Sequence, residues 1–308
     1  MRFAVISVPY SSAGLDGGEA RGPAVLRAEG LIAALERHHD VVDLGDVSFE
    51  TADRPGRDRQ TGIIAPQTMV SMINAVREAV TRAYDDDRIP LVVGGDCPLL
   101  LGCLLAARER LNHRVGLIFV DGHEDAYDPH GSVTGESADM ELGLALGVTT
   151  IDGLPALMEE LPLLDPHEVV LLGPRDRAEL TAERQQSVGG RVIVLDDAQL
   201  RAAGVENTVK RWLDQLGQNP GRFWFHLDWD VLSSNDMPAI SYPQPGGLVW
   251  EELEQIATAA IRADHLIGID LTIYNPILDP DRTAARRIVS FLADAVRAEE
   301  PLPLFGRL

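Results

Sequence analysis

Apolar runs of strand length alternate with longer segments of helical period along the whole chain, and this alternation limits the possible folds more than any other feature. Residues 3–8 (FAVISV), 115–120 (VGLIFV), 169–172 (VVLL), 223–227 (FWFHL) and 266–271 (LIGIDL) read as strands with few polar residues, and residues 41–44, 90–93 and 191–194 as shorter ones. Strands this apolar are buried on both faces, which is the habit of parallel sheets. Between them, residues 22–37 read as a helix, with Ala24, Ala28, Leu31 and Leu35 on one face. Residues 66–85, 98–110, 205–216 and 250–262 read as helices as well. The alternation predicts a single three-layer α/β/α domain over residues 1–308, built on a mainly parallel sheet. Residues 50–65, rich in Arg and Asp, read as an exposed loop. No internal repeat divides the chain, and the Pro- and Asp-rich stretch 276–281 is too short to be a linker.

The chain has 308 residues, enough to bury one large core. Its 48 acidic residues outnumber 27 basic ones, for a net charge of -21. That sign argues against nucleic acid and against an anionic membrane surface as partners. The excess acid favours solubility, and part of it is available to bind cations. No run of about 18 apolar residues is present, so no membrane span is expected. The opening MRFAVISVPYSSAG lacks the apolar core of a signal peptide. Cys97 and Cys103 do not make a disulfide framework, and a reducing, cytoplasmic location is the simplest expectation.

Ligands of parallel α/β sheets gather at the carboxyl edge, where strands end and loops begin. Three unusual polar clusters fall there: Gly94-Gly95-Asp96-Cys97, Asp121-Gly122-His123-Glu124-Asp125 and Asp228-Trp229-Asp230. Asp121, His123 and Asp125 are two residues apart, so in an extended segment they point to one side. Asp228 and Asp230 have the same spacing. If the two strands are neighbours, four carboxylates and an imidazole converge. Such a group repels itself and drives its own pKa values up unless cations compensate. Two divalent ions bridged by shared carboxylates are the natural solution, and an oxygen-rich site with imidazole suits Mn²⁺ among the first-row metals. Asp-rich turns and helix caps are the plainer reading of either motif alone; the presence of both at strand ends argues against it.

These segments resemble the ureohydrolase superfamily, which comprises arginases, agmatinases, formiminoglutamases and relatives, and carries G-G-D-H, D-A-H-x-D and S-x-D-x-D at three strand ends. Val8-Pro9, Arg21-Gly22-Pro23, Pro245-Gly246-Gly247-Leu248 and Asn275-Pro276 also match family segments, in the right order over nearly the whole chain. The resemblance implies that Asp121 and Asp228 bridge two metal ions. His123 and Asp230 would complete one site; Asp125 and the residue at position 97 would complete the other. It further implies attack by a metal-bridging hydroxide on an amidine-like carbon of a small-molecule substrate. Asp125 would accept a hydrogen bond from the nucleophile and shuttle its proton. Relatives form trimers or hexamers, so a homo-oligomer is expected.

The chain departs from that pattern at three places. The histidine of G-G-D-H is Cys97, a softer ligand that favours Zn²⁺, Fe²⁺ or Co²⁺ over Mn²⁺. Pro98 suits a first helical turn and would place Cys97 at a helix N-terminus, and that position and nearby cations would favour the thiolate. Hydroxyarginine hydrolases of antibiotic biosynthesis resemble this chain in having cysteine there, with D-G-H-x-D and H-x-D-W-D-V-L. Cys97 is therefore a candidate ligand; the alternative is a buried apolar cysteine beside one weak site. Cys103 reads as core. Second, the guanidinium-binding carboxylate two residues before the late N-P is Ile273, and leaving a guanidinium unpaired in a dry pocket is costly. Plain arginine is therefore not the expected substrate. Third, the mobile loop histidine is Ala138. Thr134 and Gly135 match positions that contact the substrate's amino-acid end, and Tyr127 replaces an asparagine. Glu136, Asp139 and Glu141 are candidates for the missing carboxylate, and His130 for the missing histidine. Asp125, His130 and Glu136 form the candidate catalytic set, and Tyr127, Thr134, Gly135, Tyr242 and Ile273 the candidate substrate contacts. The loops at 127–140 and 233–244 diverge from the family. Trp229 reads as core, and His226 either as a donor that orients a carboxylate or as a satisfied core histidine.

The expected activity is metal-dependent hydrolysis of a linear C–N bond in a less basic amidine, a formimino compound, a hydroxyguanidine or an amide. The competing expectations are a catalytically altered binding or regulatory protein of the same fold, and a one-metal, deacetylase-like amidohydrolase.

Overall fold

In the computed structural model, which describes residues 1–14, 18–51, 55–112 and 114–297, the apolar runs become strands of one sheet. In chain order the elements are β1 (Arg2–Val8), α1 (Gly22–Ala28), α2 (Leu31–Glu36), β2 (Asp40–Asp46), α3 (Pro66–Asp85), β3 (Ile89–Gly94), α4 (Leu99–Arg110) and β4 (Gly116–Val120). There follow α5 (Glu141–Ala145), α6 (Pro155–Glu160), β5 (Val169–Leu172), α7 (Arg177–Glu183), β6 (Ile193–Leu195), α8 (Asp197–Ala203) and α9 (Val205–Gln218). The last four are β7 (Phe223–Asp228), α10 (Trp250–Ile261), β8 (Leu266–Thr272) and α11 (Thr283–Val296). The strand order is β2-β1-β3-β8-β7-β4-β5-β6, and the ladders are parallel. Among the described residues no helix is long and apolar enough to cross a membrane.

Both faces of the sheet are covered, as the near-continuous apolar strands require. On one face α3 and α4 bury Met72, Val76, Leu104 and Cys103 against Phe119 and Trp224. On the other, α10 and α11 bury Ile256 and Phe291 against Phe225 and Trp229. Trp229 sits edge-on to Phe291, with ring centroids 5.5 Å apart. It therefore roots the turn that carries Asp228 and Asp230, in keeping with its reading as core.

The expected helix over residues 22–37 is two helices, because Gly30 adopts φ 93° between them. Leu31 and Leu35 of the expected face are buried, but Ala24 and Ala28 are exposed and Leu26 is buried instead, because the break at Gly30 sets α1 and α2 on different faces. The strand expected at 191–194 is β6, shifted toward its C-terminal end. Helices α5, α6 and α7 are only 5 to 7 residues long, too short for periodicity to register.

The segment 50–65 is not simply exposed. Thr61, Ile63 and Ala65 are buried. Arg57 gathers the carbonyls of Gly62, Pro129 and Ser132 at 2.7–2.8 Å, which fastens this segment to the 127–140 loop. Residues 52–54 of it, and 298–308 of the expected domain, lie outside the described residues.

One cross-strand brace ties the core to the carboxyl edge. Trp224 Nε1 donates to Asp270 Oδ1 at 2.5 Å, and Asp270 Oδ2 lies 2.5 Å from His226 Nδ1. Trp224 is registered against Gly268, where a Cβ would sit 2.1 Å from the indole Cζ3. The indole therefore needs a bare backbone on β8. Gly268→Ala is expected to cost about 1–3 kcal/mol, the usual range for overpacking, read as a lowered urea midpoint with an altered near-ultraviolet tryptophan signal.

Candidate metal centre and active site

The three polar clusters follow strands that lie side by side at the centre of the sheet. Cys97 follows β3, Asp121 follows β4, and Asp228 ends β7. β7 is hydrogen-bonded to β4 on one side and to β8 on the other, and β8 to β3. The register Val120↔Leu227 sets Asp121 beside Asp228. The two carboxylate motifs are neighbours, as their chemistry required.

They do not converge by strand alternation, however. The 121–125 segment leaves the sheet, Asp125 adopts φ 41°, and Trp229–Val231 forms a 3₁₀ turn. Backbone amides aim the carboxylates instead. The N–H of His123 donates to Asp121 Oδ1 at 2.7 Å, that of Asp230 to Asp228 Oδ1 at 2.7 Å, and that of Gly122 to Asp230 Oδ1 at 2.9 Å. His123 Nδ1 lies 2.9 Å from Asp230 Oδ2 and 3.6 Å from Asp121 Oδ1. The Cys97 thiol donates to Asp228 Oδ2 at 2.9 Å.

Asp121, Asp125, Asp228 and Asp230 are all at most 5% exposed. Burial, and then the charges of Asp121 and Glu141, push the Asp125 carboxyl well above its ordinary range. Burial, followed by Asp230 and Asp121, does the same to Asp228. Asp121 is the exception: burial works to raise it, but the neighbouring imidazoles of His123 and His226 hold it low. The thiolate expected at Cys97 depends on nearby cations as well as on the helix position. Burial and the Asp228 charge push the thiol well up, and these outweigh a position just before α4.

Among the described residues, three groups of ligand-type atoms lie within 4.8 Å of one another: Asp121 with His123 and Asp125; Asp121 with Asp228 and Asp230; and Cys97 with Asp121, Glu141 and His226. Asp121 belongs to all three. Several of these atoms are buried with no hydrogen-bond partner: Asp121 Oδ2, both carboxylate oxygens of Glu141 and His226 Nε2. Buried polar atoms are seldom left unsatisfied. Orphaned oxygen and nitrogen donors beside a thiol fit divalent first-row ions.

A cavity of ≈ 650 Å³ opens onto this cluster. Cys97, His123, Asp125, Asp228 and Asp230 face it, as do Tyr127, Thr134, Glu136, Ala138, Tyr242 and Ile273. The Tyr242 hydroxyl donates to Glu136, 3.2 Å from either oxygen. His130 does not belong to the cavity: its side chain is exposed, and the loop turns it outward through the Asp128 carboxylate, which takes the backbone N–H groups of His130 and Gly131 at 3.0 Å. Gly135 shapes the wall from behind, with φ 74° and its carbonyl accepting from Ile64 N–H at 2.7 Å. Sequence reasoning missed Glu19, which lines the cavity and accepts from Asn275 Nδ2 at 3.2 Å and from the Ser241 hydroxyl. No local pattern marks Glu19, because its partners lie more than 200 residues away in sequence. Asp96 was legible as part of a motif but had been given no role. It faces the cavity, accepts from Ser12 N–H at 2.8 Å, and is pushed up to about 7 by burial and then by Glu19.

An all-parallel central sheet with carboxylates and imidazole clustered at its carboxyl edge, under a cavity, defines an arginase-like α/β architecture. The chain belongs to the arginase family, whose sequence profile matches residues 1–296. Members of this family are hydrolases acting on C–N bonds, and so is this chain. It is 26% identical to an arginase of Bacillus caldovelox over 294 residues, 94% of this chain and 96% of that one. It is 30% identical to an N(omega)-hydroxy-L-arginine amidinohydrolase of Streptomyces lavendulae over 243 residues, 79% of this chain and 80% of that one. The solved Bacillus caldovelox arginase superposes with a TM-score of 0.83 at 24% identity, covering 98% of this chain and 99% of that one, a likeness of fold.

Asp96, Asp139 and Asp176 are each pushed up to about 7, in every case by burial first. Without metal, the folded protein binds more protons at these groups than the unfolded chain, whose carboxyls titrate near 4. Their contribution to stability is thus present below about pH 4 and lost as pH rises through 7. The urea midpoint of chelator-treated protein is expected to fall from about pH 5 to about pH 8. The stabilisation gained on adding Mn²⁺ is expected to grow over the same range, because ligands bind metal when deprotonated.

Proposed function

We propose that this chain hydrolyses a linear C–N bond in a small molecule whose reacting carbon is amidine- or amide-like and whose remaining part is cationic and lacks a carboxylate. The convergence of Cys97, His123, Asp125, Asp228 and Asp230 on one cavity floor, with Asp121 buried beside them, carries the hydrolytic part of the reading. These residues would hold two divalent ions, Mn²⁺ by family habit, or Zn²⁺, Fe²⁺ or Co²⁺ in view of Cys97. When bound, such ions lower the pKa of water enough to supply a nucleophile near neutral pH. Asp125, buried on the floor, takes the proton released as water attacks and delivers it to the leaving nitrogen.

The walls support the substrate class. Among the described residues, nine carboxylates line the cavity and no Lys or Arg does. Glu136, oriented by Tyr242, stands where a carboxylate-bearing substrate would need a neutral or cationic contact, and would instead receive an amine. Tyr127 and Thr134 complete that end. Ile273 presents an aliphatic wall beside the metal-type cluster, which suits a reacting group less basic than guanidinium.

The test is a panel of amidines, formimino compounds and amides, each in amine-terminated and carboxylate-terminated forms, assayed for urea or ammonia release with Mn²⁺- and Co²⁺-loaded protein. The amine-terminated forms are expected to be turned over with kcat/KM at least about tenfold higher, equivalent to about 1.4 kcal/mol. Asp125→Asn is expected to lower kcat by about 10²–10⁴, whereas Glu136→Gln should raise KM for amine-terminated substrates and leave kcat nearly unchanged. Turnover that survives exhaustive chelation would refute the hydrolytic reading, and a preference for carboxylate-terminated forms would refute the substrate class.

A further inference from the structure

Glu19 faces the cavity and has no task in the chemistry proposed so far. It sits half-buried in the 3₁₀ turn Gly18–Arg21. The turn packs closely on Asn275: a Cβ at Gly18 would lie 3.4 Å from Asn275 Nδ2. Asn275 is buried and its amide can point only one way. Its Oδ1 accepts from the Ile277 N–H at 3.0 Å, so its Nδ2 is turned to Glu19 Oε1 at 3.2 Å and to the Ser241 hydroxyl oxygen at 2.9 Å. The Ser241 hydroxyl donates to the same Glu19 oxygen. One oxygen of Glu19 therefore takes two donors, which fills its lone pairs. The other, Oε2, has no partner among the described residues. Ile273 belongs to the same wall. It precedes Asn275 by two, and its N–H is bonded to the Gly95 carbonyl at 2.8 Å. Gly95 lies under the Glu19 turn, since a Cβ there would be 3.1 Å from Ala20 Cα. Glu19 and Ile273 thus stand together where β3 and β8 end, beside Asp96 and Cys97.

We propose that Glu19 Oε2 accepts a single N–H from the reacting group, and that this one-oxygen contact beside the Ile273 side chain selects an amidine, formimino or amide nitrogen over a guanidinium. The inference rests on the proposed function and narrows its substrate class. A guanidinium pairs best through two parallel N–H···O bonds to both oxygens of one carboxylate. Glu19 offers only one oxygen, because Ser241 and Asn275 hold the other. Ile273 would meet the rest of the guanidinium with hydrocarbon, and N–H groups left without acceptors in a desolvated place are costly. A planar group that turns one N–H to Glu19 and an apolar edge to Ile273 leaves no donor stranded. Glu136 and Tyr242 receive the amine of the same molecule, so the two carboxylates divide the substrate between them: Glu19 reads the reacting end and Glu136 the cationic tail.

The experiment uses the full chain loaded with Mn²⁺ and two amine-terminated compounds of equal length, one an amidine and one a guanidine. Glu19→Gln keeps an oxygen for Ser241 and Asn275 but turns a donor to the reacting group. It is expected to lower kcat/KM for the amidine by about 10- to 100-fold. Ser241→Ala frees one lone pair of Oε1 on the cavity side and so admits a second N–H. The ratio of guanidine to amidine turnover is expected to rise at least about fivefold. A purely structural role for Ser241 would lower both activities together and leave that ratio alone. Glu19→Gln within about twofold of wild type, or a ratio unmoved by Ser241→Ala, would overturn the proposal. Wild-type crystals soaked with acetamidine give a reading that does not depend on either variant folding. A ligand nitrogen is expected about 2.7–3.2 Å from Glu19 Oε2, and one more than about 4 Å away would count against the contact. Wild-type protein inactive on every compound of the wider panel would defeat the proposed function as well, whereas amidine turnover indifferent to Glu19→Gln would defeat this inference alone.

Discussion

Charge repulsion in a dry place is the constraint on which the rest of this structure turns. Asp121, Asp125, Asp228, Asp230 and Glu141 are all nearly or fully buried at one edge of one sheet. Carboxylates so placed cannot all be ionised without compensation. The structure supplies part of it through the backbone N–H groups of Gly122, His123 and Asp230 and through the His123 ring. The remainder requires protons or cations. A divalent ion compensates more charge than a proton and places it between the oxygens, so the same arrangement that is strained without metal is well suited to holding it.

That arrangement depends on the sheet beneath it. β3, β8, β7 and β4 are consecutive in the order of strands although far apart in the chain, and their carboxyl ends deliver the donors to one spot. The two apolar faces hold the floor rigid from either side. Trp229 is clamped by Trp250 and Phe291 on one face, while Trp224 and Phe119 flank Asp270 and His226 on the other. The polar brace and the apolar layers are therefore one construction. Each aromatic ring that fills the core also fixes the position of an ionisable group at the edge.

The walls of the cavity come from segments with no sequence proximity. The turn at Gly18–Arg21 brings Glu19, the 127–140 loop brings Thr134 and Glu136, and the 233–244 loop brings Ser241 and Tyr242. Arg57 fastens the 127–140 loop to its own segment through three carbonyls, those of Gly62, Pro129 and Ser132. Ile273 adopts φ 70°, unusual for a β-branched residue, and is held by its N–H bond to the Gly95 carbonyl at 2.8 Å. Backbone strain of this kind persists where the surroundings over-determine it, and such places tend to be functional. Carboxylates dominate the charged groups of the wall, which sets the kind of molecule the cavity admits apart from the kind of bond the floor breaks.

Most of the fold was legible because apolar strands and amphipathic helices carry their burial in their own periodicity. Residues 66–85 and 169–172 were bounded correctly from pattern alone, whereas the break at Gly30 was not, and it leaves Ala24 and Ala28 of the expected face exposed. D-x-H-x-D and D-x-D likewise identified Asp121, His123, Asp125, Asp228 and Asp230 as a converging set, because like charges at strand ends have few other uses. The reason given for that convergence was incomplete: turns and backbone amides aim these side chains, not strand alternation. By itself the sequence determined the parallel sheet, the edge at which chemistry gathers and the carboxylates placed there. Only the tertiary structure decided that His226 and Glu141 join Cys97, that Glu19 faces the cavity and that His130 does not. Those facts depend on which strands are neighbours and on how loops close across distances in the chain, and no local spacing encodes either.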